Sequence, residues 1–134
     1  MSSSESANTI AAMDYVGQDD VALDAGSIHS VNPAHPDDVV MRVEPRVEHV
    51  ESAIAAAREA LRTWRRAGTN ERIKVVRRFQ QIAAERVEEM GQLICRETGK
   101  AIWDSMGEAT LLAAKVDITL DESSNSGLGR VPGF

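Results

Sequence analysis

Aromatic residues make up only 4% of this 134-residue chain, and cysteine occurs once, at Cys95. The scarcity of rings leaves any core to Val, Ile, Leu, Met and Ala. A single thiol excludes an intramolecular disulfide framework and predicts a reducing compartment, with a cytoplasmic location as the expectation. Long hydrophobic runs are missing as well. No stretch approaches the roughly 18 uncharged apolar residues of a membrane span, so no membrane partner is expected. The first 26 residues hold no Lys or Arg and no continuous apolar run, and do not read as a secretory leader.

What is present is ordinary for a globular chain: 43% hydrophobic and 27% charged residues, one domain's worth of length. The formal net charge of −6 is unevenly spread. Glu5, Asp14, Asp19, Asp20 and Asp24 lie in the first 26 residues without a base, whereas Val47 to Asp121 balances twelve acids with twelve bases. Acidity is therefore a property of the N-terminal segment, and no nucleic-acid partner is expected.

Three segments follow from the pattern. Residues 1–26, rich in Ser, Asp and Ala without sustained periodicity, predict a disordered acidic extension. In residues 27–45, Pro33, Pro36 and Pro45 argue against helix. There Ile28–Val31 and Val39–Val43 read as two strands joined by a turn over Asn32–Asp38. From Val47 to Asp121 the spacing predicts four helices. The first faces inward with Val47, Val50, Ile54, Ala57 and Leu61, and the second with Ile73, Val76, Phe79, Ile82 and Ala83. The third uses Val87, Met90, Leu93 and Ile94, and the fourth Ile102, Met106, Ala109 or Ala113, and Val116. Gly68 ends the first helix, Thr69 is the expected N-cap of the second, and Gly99 stops the third. Residues 122–134, with three glycines, three serines and a proline, predict a coil tail, so that the last helix reads as interrupted.

The residue types that could carry chemistry are few. Cys95 is the sole thiol, but it sits inside a helix and all three histidines lie at or before His49, so a small buried thiol is the expectation. His29, His35 and His49 show no ligand spacing and read as surface histidines, giving no metal site. Arg62, Arg65, Arg66, Arg72, Lys74, Arg77 and Arg78 are interleaved with Glu59, Glu71 and Glu85, which predicts a solvated face with i,i+4 pairing. Gly127–Gly133 is neither a Walker loop nor a dinucleotide fingerprint. Glu97-Thr98-Gly99-Lys100, followed by Asp104, reads as a helix–helix corner.

Taken together, these pieces resemble the N-terminal part of the aldehyde dehydrogenase superfamily. The likeness rests on Asn32-Pro33-Ala34 before a strand, on Ala56-Ala57-Arg58-Glu59-Ala60 with Trp64, on Glu71-Arg72, and on Arg96-Glu97-Thr98-Gly99-Lys100. These occur in that order over Ser27 to Leu120. Ala101 departs from the proline usual after the Gly-Lys pair. Trp103, Glu108, Lys115 and Val116-Asp117-Ile118-Thr119 are similar to the succinylglutamate-semialdehyde dehydrogenases of bacterial arginine breakdown.

The resemblance implies an α-rich fragment of an α/β, Rossmann-like fold: a β-hairpin, then about four helices, over residues 27–121. It implies an oxidoreductase in which a Cys thiolate attacks the aldehyde, hydride passes to NAD(P), and a Glu activates the hydrolytic water. In the family those groups, and the residues that hold the dinucleotide, lie beyond the equivalent of Leu120. No catalytic, cofactor-binding or metal residue is therefore expected at positions 1–134, and none is expected to bind NAD(P) here. The expectation is a truncated or frameshifted, inactive fragment that self-associates or pairs with dehydrogenase subunits. The alternative is a helical binding module that is not catalytic, or a truncated paralogue that associates with a full-length dehydrogenase.

Overall fold

A computed structural model describes residues 9–121. The chain divides into two compact units, Met1–Arg66 with Arg96–Gly99, and Ala67–Cys95 with Lys100–Phe134.

The first unit begins with β1 (Ile10–Ala11), β2 (Met13–Val16) and β3 (Asp19–Ala22). These strands occupy part of the segment expected to be a disordered extension, while residues 1–8 lie outside the described residues. The sequence does carry the signals for them. Gly17, at φ +68°, and Gln18 form the two-residue loop of a hairpin in which Val16 faces Asp19, and a glycine at the first loop position suits a II′ turn. Alternation in Met13–Val16 then leaves Asp14 and Val16 half-buried and Met13 and Tyr15 exposed. β4 (Ile28–Asn32) and β5 (His35–Val43) pair antiparallel, and β1 adds parallel to β5 at Met41 and Arg42, giving the order β1-β5-β4. Val40 lies at the centre of this sheet, 1% exposed.

The turn between β4 and β5 is shorter than the proline content predicts. Asn32 already faces His35, so only Pro33 and Ala34 turn the chain, and Pro36 lies within β5. The strand tolerates Pro36 because the ladder is irregular there. Val31 pairs with Val39 while Asn32 pairs with His35, so Pro36, Asp37 and Asp38 bulge out between the two pairs.

Helix α1 (Glu48–Trp64) follows, with Glu48 and Glu51 in its first turn, where acids complement the helix dipole. It buries no residue completely. The face that is half-buried is His49, Ala53 and Ala56, and the apolar face expected to point inward, with Val47, Val50, Ile54 and Leu61, is exposed.

In the second unit, α2 (Thr69–Glu85) packs on α4 (Ile102–Leu120), with α3 (Val87–Thr98) between them in sequence. Gly68, extended at ψ 162°, is the N-cap of α2, and Thr69 is already helical, so the helix begins one position earlier than expected. Along α4 the buried residues are Ser105, Ala109, Ala113 and Val116, a row at helical spacing. Ile102, expected inside, is 48% exposed. Arg77 and Gln80 on α2 both bind the Asp117 carboxylate of α4, Gln80 at 2.7 Å, and the guanidinium above all holds that carboxyl below its usual range. Gly91 on α3 is buried because a Cβ there would overlap Met106 of α4, whose Cα would lie 3.3 Å away.

Two glycine substitutions separate packing from propensity. Gly91→Leu is expected to lower the urea midpoint by the equivalent of about 1–3 kcal/mol through overpacking. Gly107→Ala, in open space on α4, is expected to raise it by about 0.5–1 kcal/mol. A neutral Gly91→Leu would show that the contact with Met106 does not constrain the helices.

Candidate functional site

The described residues converge most strongly at the β4–β5 turn and the last turn of α3, both within the first unit. The bulge at Pro36–Asp38 turns the Asp38 side chain out of the ladder. Arg96 meets it with a two-pronged bond, Nη2 donating to Oδ1 at 2.8 Å and Nε donating to Oδ2 at 3.2 Å. Such a fork matches a carboxylate in geometry as well as charge. Asn32, 6% exposed, completes the arrangement. Its Nδ2 donates to Asp38 Oδ2 at 3.1 Å, and its Oδ1 accepts the Ala34 N–H at 3.0 Å, closing the Pro33-Ala34 turn in the manner of an Asx turn. Next to it, Ser30 Oγ donates to Glu97 Oε1 at 3.2 Å.

Glycine is required at the corner itself. Gly99 has φ +70°, the left-handed conformation that ends a helix, and a Cβ there would approach Pro33 Cβ to 3.2 Å. Two motifs read separately in the sequence, Asn32-Pro33-Ala34 and Arg96-Glu97-Thr98-Gly99, are thus one structure. Electrostatics agree with the geometry. The bond from Arg96, and after it the amide of Asn32, hold the Asp38 carboxyl below the usual carboxylate range, and Asp38 in turn raises Arg96. Sequence reasoning missed Asp38. Its signal was the Asp-Asp pair directly after Pro36, where a turn was expected.

Lys100 begins the corner on the second unit's side. Its ammonium donates to Glu108 at 2.5 Å and pairs with Asp104 at 3.1 Å, and these two acids, Glu108 first, raise its pKa. Ala101, where the resemblance noted a missing proline, is the extended N-cap of α4 with φ −62°, a value a proline ring also takes. Cys95 is half-buried, and its Sγ donates to the Lys100 carbonyl at 3.1 Å, so the thiol supports the corner.

The other candidate residues stay apart. His29 Nδ1 lies 3.2 Å from the Ser27 carbonyl, and His49 Nδ1 lies 2.8 Å from Asp14 Oδ2, which makes His49 a partnered, half-buried histidine. Among the described residues no three His, Cys, Asp or Glu side chains group to hold a metal ion. In the basic stretch the pairs run mostly i,i+3, Arg62 with Glu59 and Lys74 with Glu71, where i,i+4 was expected. Gly127–Gly133 lies outside the described residues. No described helix is long and apolar enough to cross a membrane.

A dinucleotide needs backbone free to approach its pyrophosphate, usually at glycines between a strand and a helix. The described glycines that come close to other atoms do so against this chain: Gly26 on Glu44, Gly91 on Met106, Gly99 on Pro33. These three are packing and turn glycines.

Comparison with known proteins gives the class. The model of the aldehyde dehydrogenase family matches residues 21–131, and the chain belongs to that family. The match takes in residues 122–131, part of the stretch expected to be unrelated coil. Among individual relatives, N-succinylglutamate 5-semialdehyde dehydrogenase of Chromobacterium violaceum is 37% identical over 100 residues, 75% of this chain and 21% of that protein. A second such enzyme, from Caulobacter vibrioides, is 36% identical over 93 residues, 69% of this chain and 19% of its own. That of Paraburkholderia xenovorans is 41% identical over 73 residues, 54% of this chain and 15% of its own. The chain spans about a fifth of the length of the first two relatives.

The Asp38–Arg96 fork predicts an acid-sensitive first unit. A carboxyl whose folded pKa is depressed adds stability above its unfolded value, near 4, and withdraws it as the pH falls through the lowered folded value. Amide protection over residues 28–43 is expected to fall as the pH drops below about 4. Asp38→Asn is expected to lower protection at neutral pH and flatten that acid limb, and an unchanged limb would remove Asp38 as its cause.

Proposed function

We propose that this chain is the N-terminal portion of an NAD(P)-dependent aldehyde dehydrogenase that oxidises N-succinylglutamate 5-semialdehyde to its acid, and that its own part is a scaffold without catalytic groups. The observation that carries the reading is the match across residues 21–131 together with relatives of that printed activity. Cysteine, glutamate and the dinucleotide loop are then supplied by chain outside these 134 residues, within an α/β nucleotide-binding fold.

The surface supports a scaffold that docks. On α1 Val50, Ile54, Leu61 and Trp64 are exposed, on α2 Phe79 and Val75, and on α4 Trp103 at 76% and Leu111 at 64%. Patches of that kind mark surfaces built to be covered. The remainder of a dehydrogenase is the cover this reading assigns. Self-association or pairing with dehydrogenase subunits is the outcome when the 134 residues stand alone in the cytoplasm.

Two measurements test this. The purified chain, incubated with N-succinylglutamate 5-semialdehyde and either NAD⁺ or NADP⁺, is expected to give no change in nicotinamide absorbance. Turnover that Cys95→Ala abolishes would overturn the scaffold role. The same chain is expected to bind the dye ANS strongly and to elute as a mixture of associated species. A monodisperse, ANS-silent monomer would instead favour a self-sufficient binding module, and reading the source DNA past codon 134 would then decide between the two. A frame supplying Cys, Glu and a Gly-rich segment is the result expected here.

A further inference from the structure

Helix α1 presents three rows of side chains. Its inner row, His49, Ala53 and Ala56, lies against the β2–β3 hairpin. Asp14 Oδ2 is 2.8 Å from His49 Nδ1, and a Cβ on Gly17 would sit 3.6 Å from the Ala56 methyl. Next to it around the helix runs the exposed apolar row Val47, Val50, Ile54, Leu61 and Trp64, with Ala57 completing the spacing. Beyond that row, on the side away from the hairpin, Glu51, Arg58 and Arg62 recur at helical steps and make a charged flank. The acid stands toward the N-terminal end of this flank and the bases toward its C-terminal end. Arg62 lies 3.5 Å from Glu59, but with side chains 74% and 78% exposed that contact is weak.

The apolar row is self-complementary when reversed. Laid antiparallel on a second copy at one register, it sets Val47 against Trp64, Val50 against Leu61, and Ile54 against Ala57. Each larger side chain then meets a smaller one, as interdigitating helices require. The same register matches the charges. A two-fold axis that reverses the helix keeps both charged flanks on one side of the pair. Glu51 of one copy then stands between Arg58 and Arg62 of the other, about 3 Å along the axis from each, and the arrangement occurs twice. The hairpins are staggered. β2 covers α1 from His49 to Ala56, and on the second copy that stretch stands at the height of residues 55–62. A parallel two-fold would instead turn each charged flank toward the hairpin side of the other copy.

We infer that the outer face of α1 docks antiparallel on the same face of a second copy of this chain, with Glu51 of each copy between Arg58 and Arg62 of the other. This names the surface used in the self-association expected of the 134 residues alone, and to that extent rests on the function proposed above. Burial of the apolar row supplies the affinity, and the ions choose the direction.

Charge reversal tests partner and direction together. Full chains carrying Glu51→Arg, or Arg58→Glu with Arg62→Glu, are each expected to dimerise less than the unmutated chain. Mixed, they are expected to form the heterodimer about ten-fold above its statistical yield in native mass spectrometry, because each offers the other opposite charge at both ends. A statistical mixture would overturn the pairing. The unmutated chain gives a second reading that needs no variant to fold. Val50 and Leu61 lie about 16 Å apart along one helix. A nuclear Overhauser cross-peak between their methyl groups, filtered for contacts between differently labelled copies, is expected from the antiparallel pair. A monomer without that cross-peak would leave the face to the remainder of a dehydrogenase and overturn the pairing. Both measurements read contact between copies and not turnover, so their failure is separate from failure of the scaffold role.

Discussion

The two-pronged bond between Asp38 and Arg96 is the constraint on which the first unit depends. It joins positions 58 residues apart and makes the last turn of α3 part of the same unit as the β4–β5 hairpin. Everything around it is arranged to make the fork possible. A bulge frees Asp38 from the ladder, a buried amide at Asn32 binds it from the other side, and a left-handed glycine at Gly99 turns the backbone away beneath Pro33. Removing one partner would leave a half-buried charge facing a preorganised but empty fork, which costs more than the pair contributes in place.

The helices were legible from spacing alone, because three-to-four periodicity and a few stops fix their bounds to within about two residues. The direction of their faces was less so. On α1 the apolar row Val47, Val50, Ile54 and Leu61 was read as core, yet the half-buried row is His49, Ala53 and Ala56. Periodicity reports that a face is apolar and says nothing about which surface covers it. Ala53 and Ala56 were invisible as a contact face because a hairpin approaching closely needs small side chains, and alanine carries little hydrophobic signal.

At the corner, the two halves of the arrangement were each visible, as a proline turn and as a helix stop. What joins them was hidden, because an ion pair at a separation of 58 leaves no local pattern. The N-terminal strands were hidden for another reason. Four aspartates in that segment read as solvation, whereas two of them, Asp14 and Asp24, are spent on His49 and Arg46. Charge density alone does not distinguish a disordered stretch from one whose acids have bases waiting further along the chain.

That separation has a consequence for how the protein is made. Chain elongation proceeds at about 5–20 residues per second, so a ribosome that has just added Asp38 adds Arg96 about 3–12 s later. A hairpin forms in microseconds. During translation the bulged turn therefore exists for seconds with its carboxylate waiting, held only by Asn32. The nascent hairpin is open to partners and chaperones throughout that interval, and the arrival of one arginine closes it.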